Sequence, residues 1–134
     1  MFSLEAYDRK LLENPQSEII AKGGHILFVH AEGMGAIGTG ALLKTGENEY
    51  ELIKMGVLKK ARAFKAGRFL LNALIEKALS VDAHNLYLLT NSKCEAAIHL
   101  YEKHGFHHDL ETMDRFGARY QRCDVAMRYR KASI

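Results

Sequence analysis

Two features of this 134-residue chain could do chemistry together. The first is Arg62-Ala-Phe-Lys-Ala-Gly67, a basic segment that opens straight into a helical pattern, Arg68 to Leu79. An apolar, strand-like stretch, Glu51-Leu-Ile-Lys-Met-Gly-Val57, precedes it. A strand that feeds a helix through a turn rich in free backbone N–H groups is suited to hold a phosphate. The second feature is Tyr101, in Leu100-Tyr-Glu-Lys-His-Gly-Phe106 on a later helix. A phenol stays protonated at neutral pH and supplies an acid near such a ligand. Together they point to a cofactor-using transferase.

The elements that must position these residues are legible in part. Leu4, Tyr7, Leu11 and Leu12 share a helical face, which predicts a helix over 3–13. Asn14-Pro15 reads as an N-cap followed by proline at N1, opening a short helix that Gly23-Gly24 ends. Strands are predicted at His25 to His30, Ala36 to Lys44 and Tyr50 to Leu58, joined by turns at Glu32–Gly35 and Thr45–Asn48. Phe69, Leu70, Ala73, Leu74 and Ala78 then recur at helical spacing, so the period changes. Leu86 to Leu89 is a continuous apolar run, as in a strand covered on both faces. Ser92-Lys-Cys-Glu95 reads as a capping box for the helix that ends at Gly105. Phe106 to Leu110 can form a strand, Glu111 to Arg119 reads as a polar loop, and Tyr120 to Tyr129 alternates as a last strand.

Length and composition set outer bounds. The chain is sized for one domain spanning 1–134, and its hydrophobic fraction of 48% is ordinary for a globular protein. No apolar run reaches the roughly 20 residues of a membrane span, and no signal peptide is expected at the N-terminus. Cys94 and Cys123 are too few for a disulfide framework or a zinc site, so a cytoplasmic setting is expected. A net charge of +3, spread over several segments, suits an anionic small molecule and falls short of a nucleic-acid signature. His104, His107 and His108 lack an orderly ligand spacing, so no metal is expected.

The chain resembles the GNAT superfamily of N-acetyltransferases from about residue 4 to residue 130. The stretches that carry the resemblance are Gly38-Thr-Gly-Ala-Leu42, Tyr50-Glu-Leu-Ile-Lys-Met-Gly-Val57, the 62–67 turn, Leu86-Tyr-Leu-Leu-Thr-Asn-Ser92 and Ala97-Ile-His-Leu-Tyr-Glu-Lys-His-Gly-Phe106. The resemblance implies transfer of an acetyl group from acetyl-CoA to an amine. It implies that Arg62, Ala63, Lys65, Ala66, Gly67 and Arg68 hold the pyrophosphate, and that the main chain at Met55 and Val57 pairs with the pantetheine arm. Tyr101 would protonate the departing CoA thiolate; the alternative is a buried tyrosine with a satisfied hydroxyl. Asn91 would bond the cofactor arm, or serve only as a turn residue. For Glu51 two readings stay open: a base that takes the proton of an alkylammonium acceptor, or a residue on a solvated strand end. As a base it would share a strand face with Ile53, Met55 and Val57.

Two departures from the family pattern stand out. Lys65 occupies the place of the usual first glycine in the phosphate turn, which costs about 1 kcal/mol if that position needs a positive φ. The helical reading of 3–13 also implies that the family's first strand, and most of its first helix, are missing. That would leave an edge of the Gly24 to Lys44 hairpin open and favour a homodimer that covers it. The expected fold is α/β: a mixed, mainly antiparallel sheet flanked by helices. Its two central strands, 50–58 and 85–90, should run parallel and part at their C-terminal ends. The expected activity is acetyl transfer to a small-molecule or peptide amine, with a non-catalytic CoA-binding module as the competing class.

Overall fold

The computed structural model describes residues 2–6, 16–59, 65–119 and 122–130. Among them, seven strands form one sheet in the order β1-β2-β3-β4-β5-β7-β6. The strands are β1 (Phe2–Ala6), β2 (His25–Ala31), β3 (Gly35–Gly46), β4 (Glu49–Val57), β5 (Asn85–Thr90), β6 (Phe106–His108) and β7 (Val125–Tyr129). Four helices accompany them: α1 (Gln16–Ala21), α2 (Ala66–Ser80), α3 (Glu95–Lys103) and α4 (Leu110–Phe116). Every described strand pairing is antiparallel except one, β4 with β5. The expected fold class is therefore observed.

The sheet is covered on both faces. α2 turns Leu70, Leu71, Leu74, Ile75 and Ala78 inward, and these pack with Val29, Ile37, Leu52, Leu86, Leu88, Tyr101 and Phe106. Gly40 lets α2 approach β3, because a Cβ there would lie 2.6 Å from Leu74 Cδ1. On the opposite face Ile19 of α1 joins Ile26 and Ala41 in a smaller cluster, with Ile53 against it. Burying these apolar side chains is worth roughly 1.5–3 kcal/mol each.

Three expectations about local structure are corrected. Residues 2–6 form a strand where a helix over 3–13 was expected, and residues 7–15 lie outside the described residues. β1 runs antiparallel to β2 from Phe2↔Ala31 to Ala6↔Leu27, so a first strand is present and covers the hairpin edge. Over residues 2–6 the helical reading loses to the ladder that β2 offers, since edge pairing outweighs local propensity. The reason given for a covering homodimer thereby disappears.

The expected loop over 111–119 contains α4, followed by a 3-10 turn at Gly117–Arg119. Asp109 is the N-cap: its Oδ2 accepts from Thr112 N at 3.1 Å and from Thr112 Oγ1 at 2.6 Å. Packing of Thr112 and Phe116 supplies the rest, which a polar sequence does not advertise.

The capping box at 92–95 is absent as well. α3 begins after Cys94, and no side chain caps it. The Ser92 hydroxyl instead donates to Asp124 Oδ2 at 2.9 Å, and its N–H to Asp124 Oδ1 at 2.7 Å.

The Asp109 cap has a measurable consequence. Asp109→Ala should lower stability by about 1 kcal/mol, the usual value of an N-cap. Chemical denaturation of the variant against the parent checks this. The Thr112 hydrogen bonds hold the Asp109 carboxyl below its ordinary range, with the charges of Arg128 and Arg130 adding to them. A depressed carboxyl stabilises the fold above its unfolded value and loses that contribution as pH falls. The difference between variant and parent should therefore shrink once the pH drops below the ordinary carboxylate range.

Candidate active site

The site is built where β4 and β5 part. Their ladder runs through Glu49↔Asn85, Tyr50↔Leu86 and Glu51↔Tyr87 and stops there. Beyond it β4 continues to Val57 along β3, while β5 continues to Thr90 along β7. Two parallel strands that each keep an outer neighbour but lose one another leave a cleft at their C-terminal ends, as the sequence predicted.

β4 also changes face inside this stretch. Thr39 pairs with Gly56 and Ala41 with Ile53, so two β4 residues stand opposite Gly40 alone. That is a β-bulge, and Lys54 within it has φ 54°. One extra residue reverses the alternation. Leu52, Met55 and Val57 all pack against the α2 face, whereas Ile53 packs on the other. Glu51, two residues before Ile53 and opposite Leu43, lies on the Ile53 face. The expected common face of Glu51, Ile53, Met55 and Val57 is thus corrected: Met55 and Val57 point the other way.

The turn expected to hold phosphate is described from Lys65 onward; Arg62 and Ala63 lie outside the described residues. Lys65 caps α2 in the left-handed region, φ 62° and ψ 27°, with no side-chain cap bond. This is the conformation that would favour glycine at that place. Ala66 is fully buried, and a Cβ on Gly67 would lie 3.5 Å from Leu100 and 3.8 Å from Val57. Gly67 therefore seats the α2 N-terminus beside both the end of β4 and the middle of α3. Arg68 is exposed on the first turn, and its charge reaches His104 at the end of α3. Burial, then Arg68 and Lys103, pull the His104 imidazole below its ordinary range.

Tyr101 is the buried residue of α3, with its ring edge-on to Phe106 at 5.8 Å. Burial first, and the nearby Cys94 second, push its phenol up, so the group stays protonated well beyond neutral pH. No hydrogen bond to its hydroxyl is formed among the described residues.

Glu51 is 2% exposed, so the solvated-strand-end reading fails. Tyr87 on β5 donates to Glu51 Oε1 at 3.5 Å and to Thr45 Oγ1 at 3.1 Å. Thr45 donates in turn to Glu49 Oε1 at 3.0 Å. Asn85 and Arg115 both donate to Glu49 Oε2 at 2.9 Å. Burial alone would raise Glu49, but the bonds from Asn85, Thr45 and Arg115 together hold it below the ordinary range. Phe116 of α4 stacks on Tyr87 at 4.2 Å. Glu51 also reaches Cys123, whose thiol is pushed up by burial, then by Glu51, Asp124 and Cys94.

Asn91 is engaged in its own turn. Its Nδ2 donates to Arg122 O at 2.6 Å, and its Oδ1 accepts from Lys93 N at 2.9 Å. Among the described residues no group of three potential metal ligands occurs.

The structure thus brings the α2 N-terminus, the end of β4 and the Tyr101 helix together. It sets Glu51 on the other face of the sheet, at the point where the strands part. Sequence reasoning missed Tyr87, Thr45 and Glu49. A tyrosine in the midst of Leu86-Tyr-Leu-Leu89 was the available signal, since a buried phenol needs a polar partner.

The profile of the acetyltransferase (GNAT) family matches residues 2–106. The chain belongs to this family. Solved structures share its fold: a GNAT-family acetyltransferase from Staphylococcus aureus superposes with a TM-score of 0.79 at 20% identity, over 96% of this chain and 98% of that one. A Bacillus subtilis acetyltransferase in complex with CoA gives 0.72 at 20% identity, over 98% and 100%. A GNAT-family acetyltransferase from Elizabethkingia anophelis with acetyl-CoA bound gives 0.75 at 16% identity, over 97% and 98%. Among curated protein sequences no significant match is found. No described helix is long and apolar enough to cross a membrane.

The left-handed Lys65 yields a prediction. Lys65→Gly should remove the Cβ strain and raise stability by up to about 1 kcal/mol, less what glycine's freedom returns to the unfolded chain. A higher melting temperature at unchanged cofactor-free conditions checks it.

Proposed function

We propose that this GNAT-family protein transfers an acetyl group from acetyl-CoA to a primary amine, by direct attack of the neutral amine on the thioester. The observation that carries this reading is the parting of β4 from β5 after Glu51 and Tyr87, with the α2 N-terminus seated beside the end of β4. Backbone N–H groups of the 65–68 turn would bind the CoA pyrophosphate, aided by the helix dipole and by the ammonium of Lys65. Main-chain groups at Met55 and Val57 would pair with the pantetheine amides and face the oxyanion. Tyr101, kept protonated by burial, would donate to the thiolate as it leaves. Glu51 would take the proton that an alkylammonium must lose before it can attack.

Holding the two reactants together supplies most of the rate in this reading, because proximity alone removes roughly 7–11 kcal/mol of barrier. The alternative is a CoA-binding module without turnover. Its first support was a missing strand, and β1 removes that support. Its second was Lys65, whose backbone already holds the left-handed turn without glycine.

Calorimetry with acetyl-CoA and thiol release over an amine panel separate the two. Binding with turnover of at least one amine is expected; binding with none across polyamines, amino acids, aminoglycosides and peptide amines would favour the module. Tyr101→Phe should lower turnover by roughly 10²–10⁴-fold at nearly unchanged acetyl-CoA affinity, since the phenol acts only as the thiolate departs. Turnover equal to the parent's, with chemistry shown to be rate-limiting, would reduce Tyr101 to a packing residue.

A further inference from the structure

The N-terminus of α2 meets the C-terminal end of α3, and the side chains gathered there are basic. Gly67 brings the two helices together, since a Cβ on it would lie 3.5 Å from Leu100 Cδ2. Arg68 follows Gly67 on α2. Lys103 and His104 follow Leu100 at the i+3 and i+4 positions of α3, so they lie one turn on along the same side. Arg68 and Lys103 are exposed and His104 is half-buried. Both cations act on His104 as like charges, so the three groups share one small region. Lys65 caps the same end of α2.

Among the described residues none of Arg68, Lys103 and His104 has an ion pair. The acids of neighbouring segments are engaged elsewhere. Glu102 Oε1 lies 3.9 Å from His99 Nδ1, and its Oε2 lies 3.4 Å from His108 Nε2. Asp109 accepts from Thr112 and faces Arg130, 3.9 Å away. Arg130 donates its N–H to Gly105 O at 2.9 Å, so the end of β7 adds a further cation beside α3. The charged groups around His104 are thus Arg68 and Lys65 from α2, Lys103 and Glu102 from α3, and Arg130 from β7. Such an excess of positive charge favours an anionic ligand.

We propose that Arg68, Lys103 and His104 form a subsite for the phosphate monoester on the ribose of CoA, separate from the turn that takes the pyrophosphate, and that His104 gains a proton as this phosphate binds. The proposal rests on the reading of the protein as an acetyl-CoA enzyme. The pyrophosphate uses the N–H groups of Ala66, Gly67 and Arg68, which lack an intrahelical partner because the first bond of α2 runs from Phe69 N to Lys65 O. A monoester carries nearly two negative charges at neutral pH and calls for cationic side chains. Without ligand His104 is neutral at that pH, because burial, then Arg68 and Lys103, hold its imidazole below the ordinary range. A dianion beside it reverses the balance. Solvent supplies one proton, the imidazolium donates to a phosphate oxygen, and the C-terminal end of α3 favours the same charge.

Protein labelled with nitrogen-15 in the histidine rings tests this by NMR titration of the full chain. His104→Gln identifies the His104 signals by their disappearance. With CoA bound, the His104 midpoint should move to higher pH than in the free protein. With dephospho-CoA, which keeps the pyrophosphate and lacks the monoester, it should stay where it is. Calorimetry should give CoA the tighter binding of the two, by roughly 10-fold. A raised midpoint adds affinity that is full below the free value and is lost as pH rises through the bound one. The gap between the ligands should therefore widen from about pH 8 to about pH 6.5, a range above the phosphate's own second ionisation. His104→Gln should remove that pH dependence, and Arg68→Gln, at an exposed position, should narrow the gap itself. Equal affinity for the two ligands, the same His104 shift with both, or a parental gap in Arg68→Gln overturns the subsite. Binding of neither ligand instead sinks the cofactor reading, and the subsite with it.

Discussion

The site depends on one limit: β4 and β5 pair over only three residue positions before they separate. Parallel strands require a long crossover, and here α2 supplies it. Each strand keeps its other neighbour through and beyond the parting, β3 for β4 and β7 for β5, so the sheet stays continuous while a cleft opens inside it. The bulge at Lys54 works with that separation. It strengthens the local twist of β4 and turns Met55 and Val57 toward the α2 face. The strand end is thereby aimed at the N-terminus of α2.

Around the cleft the sheet divides the chemistry. On one face lie α2, α3 and Tyr101, in a largely apolar layer that keeps a phenol protonated. On the other lie Glu51, Tyr87, Thr45 and Glu49, a polar row in which each buried group has a partner. Burying a carboxylate without partners costs several kcal/mol, so the two acids of β4 are tolerable only because hydroxyls, Asn85 and Arg115 surround them.

The turn before α2 illustrates how a departure from pattern is absorbed. Lysine in the left-handed region costs about 1 kcal/mol, and the packing of α2 behind it, with Ala66 fully buried, is what holds it there. Gly67 could not be replaced so freely by a larger residue. Leu100 and Val57 lie within van der Waals reach of its Cα-bound space, and a bulkier side chain would push α2 off α3 and β4.

The order of strands and helices from His25 to Phe106 was readable from the sequence. These are local signals: apolar period, glycine and proline at element ends, and a motif that lies within one stretch of chain. β1 was misread because Leu4, Tyr7, Leu11 and Leu12 fit a helical spacing, and only the partner β2 reveals a strand over 2–6. α4 was missed because its stability comes from Asp109 and from Phe116 lying on Tyr87, a contact between distant residues. That Met55 and Val57 leave the face shared by Glu51 and Ile53 was also undecidable, since a bulge at Lys54 reverses the alternation after it. The sequence by itself determined the family and the order of the central elements. Only the tertiary structure decided which carboxylate is buried and what surrounds it, because hydrogen bonds from β3, β5 and α4 converge there from positions as many as 66 residues apart.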